Sequence, residues 1–381
     1  MLMPNNFRSK TGKFPLPMFF PDATKAVIRT LDSKDIIGTK TPGILVNTYH
    51  LIRNPGKRVI KNAGSAGNFM NFAGPIISDS GGFQVMSLAK ESGSQGKIND
   101  KGVTFKLHSQ KKFTLTPEDS IDFQFVLGTD LMVVLDDFTP PNADYDEAKE
   151  TVERTILWAK KCKNEFERQI ALRKTEEEKR PYLIGVVQGG KHQDLRKYCA
   201  EKLVEIGFDG LGYGGWPLRS AQGKPIRQAS ARGGQAGQNI MEFDYETAQT
   251  IKDAAPENYL LYGLGIGKPQ EIVNLVKMGY HIFDCVLPTR DARHKRLYVY
   301  NAESIEEIDL EKESFYRFYT PDKEKNYADI SPVSTACDCL LCKNYSRAYL
   351  AHLFRENELT ALRLSTIHNL RFYSILMEKL R

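Results

Sequence analysis

The sequence predicts an α/β fold: a (β/α)8 TIM barrel with a metal-binding subdomain after it. Short apolar runs recur along the chain, each ending in glycine or a polar residue and usually followed by a helical stretch. The runs are continuous rather than alternating, which is typical of parallel strands buried on both faces and covered by helices. Eight such runs within roughly 290 residues favour a closed barrel over an open sheet.

The predicted elements follow one another in a regular order. The apolar runs lie at 17–20, 44–47, 75–79, 131–136, 182–188, 209–215, 260–265 and 281–286. Helical stretches are predicted at 143–172, 192–206, 244–254 and 268–279. The carboxyl ends of barrel strands form one face, where barrel active sites lie. We therefore expect convergence of the polar residues that end the runs, namely Asn47, Asp79, Asp136, Gln188, Gly215 and Asp284.

Two excursions interrupt this rhythm. Residues 84–118 are rich in Ser, Gly, Lys and Asn, which predicts an extended hairpin. Residues 216–241 are basic, and we expect residues 217–240 to form a lid or an additional RNA contact. From about residue 301 the chain leaves the βα pattern, so we predict a barrel domain at 1–300 and a separate subdomain at 301–381.

The C-terminal subdomain carries a C-x-C-x2-C pattern with one histidine further along. Cys337, Cys339 and Cys342 lie within six residues, and His368 lies in a predicted C-terminal helix. Thiolates this close repel one another unless a soft cation holds them, and three cysteines with one histidine form a closed tetrahedral zinc site. Zinc would therefore fasten the helix to the cysteine loop. Because the site has four protein ligands, we predict a structural role for the metal.

Composition limits the remaining possibilities. The chain has 381 residues and a net charge of +6, which permits nucleic-acid binding without requiring it. No apolar run approaches the length of a membrane span, and the first residues contain no signal-peptide core. Cys162, Cys199 and Cys285 are scattered, which is typical of reduced thiols. We therefore expect a cytoplasmic protein.

Two strand ends carry aspartates with chemically suggestive neighbours. Asp79 begins the sequence Asp-Ser-Gly-Gly-Phe-Gln, in which the glycines allow a ligand to approach the backbone closely. Asp284 is followed within twelve residues by a basic group that includes Arg290 and Arg293. A carboxylate beside such a group suits a nucleophile facing the sugar of a polyanion. Taken singly, the first motif is also compatible with a tight turn and the second with an aspartate paired to arginine.

Together these motifs resemble the tRNA-guanine transglycosylase family. The resemblance spans residues 47 to 369 in seven ordered stretches, and the zinc spacing agrees with that of the family. It implies a TIM barrel with a zinc-bearing insertion near its C-terminal end. The stretches are Asn47 to Leu51, Ser78 to Gln84, Val187 to Gly190, Gly214-Gly215, Leu264 to Pro269, Phe283 to Arg290, and the cysteine–histidine cluster followed by Asn369.

The resemblance implies a double displacement on tRNA. Asp284 matches the nucleophile that attacks C1′ of guanosine 34, and a 7-deazaguanine then attacks the glycosyl-aspartate, so two inversions give retention. Asp79 matches the general acid/base that serves both bases. Asp136, Gln188 and the backbone of Gly215 match the groups that bind the base edge, Phe83 and Leu264 match the two faces of the base sandwich, and Arg290 and Arg293 match RNA-contacting positions.

The family also implies the partners: the anticodon loop of G-U-N tRNAs, preQ1 or queuine as the incoming base, and a second copy of the chain in a homodimer. Asp137-Phe138 and Trp216-Pro217 depart from the family pattern where the 7-substituent should lie, so the identity of the base stays open. Two alternatives also remain: a transglycosylase acting at another nucleic-acid position with another 7-deazaguanine, and a non-catalytic RNA-binding partner subunit. The second would be expected to lack the nucleophile, yet Asp284 is present.

Overall fold

The computed structural model describes residues 4–82, 97–106, 112–215, 218–220 and 241–381. Within these residues, the strands occur at the positions predicted from the apolar runs and at several others. They are β1 (Asn6–Ser9), β2 (Gly12–Pro15), β3 (Met18–Pro21), β4 (Ile44–Asn47), β5 (Ile76–Asp79), β6 (Lys97–Asn99), β7 (Gly102–Lys106), β8 (Lys112–Leu115), β9 (Leu131–Val133), β10 (Tyr182–Val187), β11 (Gly210–Tyr213), β12 (Leu218–Ser220), β13 (Met241–Phe243), β14 (Leu260–Gly263), β15 (Ile282–Cys285), β16 (Leu297–Tyr300) and β17 (Tyr316–Tyr319).

The helices alternate with the strands and then dominate the C-terminal part. The four helical stretches predicted between strands all occur, with ends within about two residues of those expected. They are α1 (Ser33–Gly38), α2 (Thr48–Arg53), α3 (Lys57–Ala63), α4 (Ala66–Met70), α5 (Pro117–Leu127), α6 (Tyr145–Arg173), α7 (Gln193–Ile206), α8 (Tyr245–Ala254), α9 (Pro269–Lys277), α10 (Leu287–Arg293), α11 (Leu340–Asn344), α12 (Arg347–Arg355) and α13 (Leu359–Leu380).

Eight strands form one parallel sheet that is nearly closed into a barrel, in the order β3-β15-β14-β11-β10-β9-β5-β4. The two end strands of this order meet again, because Ala23 donates a backbone hydrogen bond to the carbonyl of Leu45 at 2.7 Å. A parallel bridge between Asp22 and Leu45 extends the same contact. All eight predicted runs contribute a strand, so the predicted barrel fold is confirmed.

The strands are buried on both faces, as their continuous apolar runs predicted. Every residue of β3, β4, β11, β14 and β15 is buried. Close strand contact also requires a small residue at one position: a Cβ added to Gly210 in β11 would lie 2.1 Å from the carbonyl oxygen of Leu260 in β14. The glycine in this run therefore allows the two strands to pair.

The chain divides into two compact units. The first comprises Met1–Pro4, Asp79–Phe125 and Leu131–Leu264. The second comprises Asn5–Ser78, Val126–Asp130 and Gly265–Arg381. The boundary predicted at residue 300 stays a prediction.

The two excursions are described in part. In the first, β6, β7 and β8 form an antiparallel three-stranded sheet, which agrees with the expected hairpin, and residues 83–96 and 107–111 lie outside the described residues. The second begins and ends in an antiparallel pair, β12 with β13. Residues 216–217 and 221–240 lie outside the described residues, so the predicted lid stays a prediction. In the described part of the chain, no helix has the length and apolar character of a membrane span.

Candidate active site and metal centre

The turn after β5 holds the first candidate carboxylate, Asp79, which is half-buried at the end of the strand. The next residue, Ser80, accepts a hydrogen bond at its hydroxyl from the amide of Gly82 at 3.3 Å. A Cβ added to Gly82 would lie 3.1 Å from the carbonyl oxygen of Asp136. The glycine therefore lets the turn that carries Asp79 lie directly beside Asp136.

Asp136, the second candidate carboxylate, follows β9. Its pKa is raised to about 7, first because the surrounding protein removes water from the carboxylate. A hydrogen bond from Gln188 lowers the pKa, while the negative charges of Asp79 and Asp137 raise it further. Asp136 is thus a carboxyl group that changes protonation near neutral pH.

Gln188 is fully buried and is held at both ends of its side-chain amide. Its Nε2 donates to Oδ2 of Asp136 at 2.6 Å, and its Oε1 accepts from the amide of Thr139 at 3.1 Å. These two bonds fix which end of the amide faces Asp136. Thr139 was not predicted as part of the site, because a backbone amide has no signature in the sequence.

The loop after β11 lies against Gln188. A Cβ added to Gly214 would lie 2.6 Å from the carbonyl oxygen of Val187 and 2.8 Å from Nε2 of Gln188. Gly215 has a φ of +90°, a backbone conformation that side chains other than glycine rarely adopt. Two consecutive glycines are therefore needed for the loop to reach this position.

Leu264 follows β14 and is half-buried. A Cβ added to Gly212 would lie 2.3 Å from Cδ1 of Leu264, so the leucine covers β11 two residues before Gly214. Phe83, the other predicted face of the base sandwich, lies outside the described residues. In the first unit, the structure thus brings together Asp136, Gln188 and the loop of Gly215, beside the turn of Asp79.

In the second unit, Asp284 lies at the carboxyl end of β15 and is only 8% exposed. Its Oδ1 accepts a hydrogen bond from the amide of Gly265 at 2.9 Å. The loop after β14 packs closely on β15, since a Cβ added to Gly267 would lie 2.4 Å from the Cβ of Cys285. Asp284 is therefore a buried carboxylate whose orientation is fixed by a backbone amide.

Three arginines form a cationic cluster in the same unit: Arg29, Arg290 and Arg293. Arg290 is exposed, and Arg293 is half-buried with its Nη1 donating to the carbonyl of Thr289 at 2.8 Å. Burial lowers the pKa of Arg293, and the positive charges of Arg29 and Arg290 lower it further. Such a cluster attracts anions such as phosphates. Arg29 was not predicted, because it is far from the other two in sequence.

The predicted metal ligands converge on one point. The ligand atoms of Cys337, Cys339, Cys342 and His368 all lie within 4.8 Å of one another. Hydrogen bonds with Cys339 and Cys342, together with burial, raise the pKa of Cys337. Nε2 of His368 donates to the carbonyl oxygen of Tyr298 at 2.8 Å, which leaves Nδ1 to face the thiols. The Cys3His group therefore fits a tetrahedral metal ion, and its chemistry is consistent with zinc.

The residue after His368 connects this centre to the segment that follows Asp284. The side chain of Asn369 donates to the carbonyls of Pro288 at 2.9 Å and Arg296 at 3.0 Å. It also accepts a hydrogen bond from the amide of Tyr298 at 3.1 Å. One buried amide thereby holds the first turn of α10 and the start of β16 against α13.

The whole chain is similar to proteins of one family. Residues 5–381 match the family model described as queuine tRNA-ribosyltransferase. A queuine tRNA-ribosyltransferase of Staphylococcus aureus (strain bovine RF122 / ET3-1) is 36% identical over 97% of this chain and 86% of its own length. Those of Thermoanaerobacter sp. (strain X514) and Actinobacillus pleuropneumoniae serotype 3 (strain JL03) are each 37% identical, over 97% and 96% of this chain and 86% and 84% of their own lengths.

The matched residues include the barrel, the carboxylates that follow its strands and the Cys3His centre. The chain belongs to the queuine tRNA-ribosyltransferase family.

Removal of the metal should destabilise the second unit. We expect about one zinc ion per chain by elemental analysis, and a loss of metal in Cys339→Ser together with a fall in melting temperature of about 10 °C or more, because the ion supplies folding free energy. Cys162→Ser is the matched control for metal content, since this buried thiol lies outside the cluster and the variant should keep its metal. A metal-free Cys339→Ser protein with unchanged melting temperature would contradict the assignment.

Neutralising Asp136 should stabilise the protein above neutral pH. Its folded-state pKa is raised, so the folded protein holds a proton that the unfolded chain loses near pH 4, and stability falls as pH rises towards 7. Asp136→Asn removes the cost of ionising this carboxyl group in the folded protein. We expect the free energy of unfolding to rise by up to about 4 kcal/mol at pH 8 and by less at pH 5.

Urea unfolding at both pH values measures this difference. Asp137→Asn is the control: Asp137 forms a buried ion pair with Arg154, so its loss should destabilise the protein. Equal stability changes for Asp136→Asn at pH 5 and pH 8 would show that the pKa of Asp136 is not raised.

Proposed function

We propose that this protein exchanges guanine 34 in the anticodon of G-U-N tRNAs for a 7-deazaguanine, preQ1 or queuine, through a covalent glycosyl-aspartate. The observation that carries the proposal is Asp284, a buried carboxylate held by the amide of Gly265 in a chain that belongs to this family. A carboxylate fixed in this way loses little orientational freedom when it attacks a sugar carbon.

The proposed reaction has two displacements. The carboxylate of Asp284 forms a bond to C1′ while the bond from C1′ to N9 of guanine breaks, and Asp79 supplies the proton that the departing base takes up. The incoming base then gives its N9 proton to Asp79, and its N9 displaces the carboxylate of Asp284 from C1′. Each displacement inverts C1′, so the product keeps the original configuration.

We propose that Asp136, Gln188 and the backbone of Gly215 bind the edge of the base. Gln188 is locked by Asp136 and Thr139, which supports a preorganised set of hydrogen-bonding groups. An ionised Asp136 accepts hydrogen bonds from the N–H groups of a purine edge, and its pKa of about 7 makes this state available at neutral pH. Leu264, with Phe83 as the opposite face, would sandwich the ring.

The identity of the incoming base depends on the residues around its 7-substituent. Asp137 departs from the family pattern, and its carboxylate pairs with Arg154 of α6. That ion pair supports a structural role for Asp137. Phe138, which is half-buried, is then the residue among the described departures from the family pattern that would shape the pocket for the 7-substituent. Both preQ1 and queuine therefore stay within the proposal.

We propose that the cationic cluster of Arg29, Arg290 and Arg293 binds phosphates of the anticodon loop, where extrusion of one nucleotide costs little stacking energy. The metal would be a structural zinc ion that fastens α13 to the cysteine loop. Cytoplasmic location is also part of the proposal, supported by the three free thiols outside the metal cluster, Cys162, Cys199 and Cys285.

The homodimer implied by the family is a further part of the proposal. Large apolar side chains between residues 318 and 359 are exposed in the second unit, and two of them, Tyr345 and Tyr349, stack with ring centroids 5.3 Å apart. The stacked tyrosines form an exposed apolar surface, which supports a protein–protein contact at this place. The exposed side chains are Phe318, Ile330, Leu340, Tyr345, Tyr349 and Leu359.

Exchange of radiolabelled guanine into an in vitro transcribed tRNA-Tyr tests the function. We expect incorporation by the wild type and a loss of at least about a thousandfold in Asp284→Asn, because the amide cannot act as the nucleophile. Asp244→Asn is the matched control, since Asp244 is also buried but accepts hydrogen bonds from Thr247 at the start of α8 and should keep exchange activity.

Competition by unlabelled preQ1, queuine and preQ0 then identifies the base that is bound most tightly. Absence of exchange by a folded, metal-loaded wild type would reject the proposal and favour another nucleic-acid target or a non-catalytic subunit. Full activity of Asp284→Asn would reject the covalent mechanism while leaving base exchange in place.

A further inference from the structure

Arg196 is a buried arginine that neither the motifs nor the proposed chemistry uses. It lies in the first turn of α7 and is only 1% exposed. Among the described residues, the bonds of its guanidinium group go to backbone carbonyls rather than to a carboxylate. Burying an arginine without an anion is unfavourable unless its N–H groups are all well bonded, so the position requires a specific explanation.

The partners of Arg196 are backbone carbonyls on the two loops that carry the base-edge residues. Its Nη1 donates to the carbonyl of Val187 at 2.7 Å and to that of Gly214 at 2.6 Å. Its Nε donates to the carbonyl of Gly190 at 2.9 Å. Val187 directly precedes Gln188, Gly214 directly precedes Gly215, and Gly190 is two residues after Gln188. One guanidinium group therefore ties the end of β10 and the loop after it to the end of β11.

Two further observations show how closely Arg196 lies to β11 and the loop that follows it. The guanidinium carbon of Arg196 lies 5.4 Å from the centre of the Tyr213 ring, a cation–π distance. A Cβ added to Gly215 would lie 3.0 Å from Nη2 of Arg196. The planar fork of arginine can bridge three carbonyls at fixed angles, whereas a lysine ammonium has a single nitrogen.

We propose that Arg196 is a positioning residue for base recognition: it sets the separation between Gln188 and the backbone of Gly215. This inference rests on the proposed function, because the base-edge roles of those two residues belong to it. Arg196 does not touch the base. Its loss should therefore weaken binding of the free base while leaving phosphate contacts with tRNA unchanged.

The test compares Arg196→Ala, Arg196→Lys and a matched control, Arg180→Ala. Arg180 is also shielded, pairs with Asp209 at 2.8 Å and lies over the Phe166 ring, but it precedes β10 and is at the opposite end of that strand. Base KM, the Kd for tRNA and the melting temperature are measured for each protein, and Arg196→Ala is also assayed with added guanidinium ion.

We expect base KM to rise at least tenfold in both Arg196 variants, with the Kd for tRNA within twofold of wild type. Guanidinium ion should restore part of the loss in Arg196→Ala by occupying the vacated site. Arg180→Ala should lower the melting temperature and leave base KM unchanged. If Arg196→Ala does not fold, Arg196→Lys carries the test, since it keeps the stem and charge but not the fork.

An unchanged base KM in a folded Arg196→Lys or Arg196→Ala protein overturns the inference and leaves the proposed function standing. The same applies if Arg180→Ala raises base KM as much as the Arg196 variants do, because the effect would then be one of general stability. A wild type that neither exchanges nor binds guanine overturns the proposed function and this inference with it.

Discussion

The second unit depends on how α13 is held. Fifteen residues of this helix are buried, so it is the core of the unit rather than a surface appendage. On one side the Cys3His group and the contact of Arg371 with Asp338 fix the cysteine loop to the helix. On another side the side chain of Asn369 forms hydrogen bonds with three backbone groups in and near α10 and β16. The position of the segment that follows Asp284 is thus determined by a helix close to the end of the chain.

The Cys3His group and the segment that follows Asp284 are joined through two neighbouring residues of α13. His368 and Asn369 are adjacent, and both bond to the backbone of Tyr298, one to its carbonyl and the other to its amide. A shift of α13 would therefore displace both β16 and α10. A structural metal bound by His368 would fix the position of α13. Through Asn369 it would also fix the positions of α10 and β16.

In the first unit, electrostatic strain accompanies the candidate binding residues. Asp136 is kept in surroundings that oppose its ionisation, with other carboxylates nearby, and the buried Arg196 bonds to backbone carbonyls rather than to a carboxylate. Neither feature increases the free energy of unfolding. Both are expected if the hydrogen-bonding groups must be preorganised for a planar base. Sites that violate the ordinary rules of burial are where function is expected.

The sequence predicted the barrel well because a strand buried on both faces leaves a continuous apolar run, and it predicted the Cys3His cluster because ligand spacing is local. It could not predict the pairing of Asp137 with Arg154, the three carbonyls bound by Arg196, or Arg29 beside Arg293. Those contacts join distant parts of the chain and depend on strand register and helix packing. The family resemblance named individual residues but not what holds them in place.

The most direct test of the covalent mechanism is to isolate its intermediate. The enzyme is incubated with a G-U-N tRNA without free base, denatured, and resolved by electrophoresis, and the attached residue is mapped by mass spectrometry. The account predicts a protein–RNA adduct attached at Asp284, which disappears when a 7-deazaguanine is added before denaturation. An adduct mapped to any other residue would contradict it.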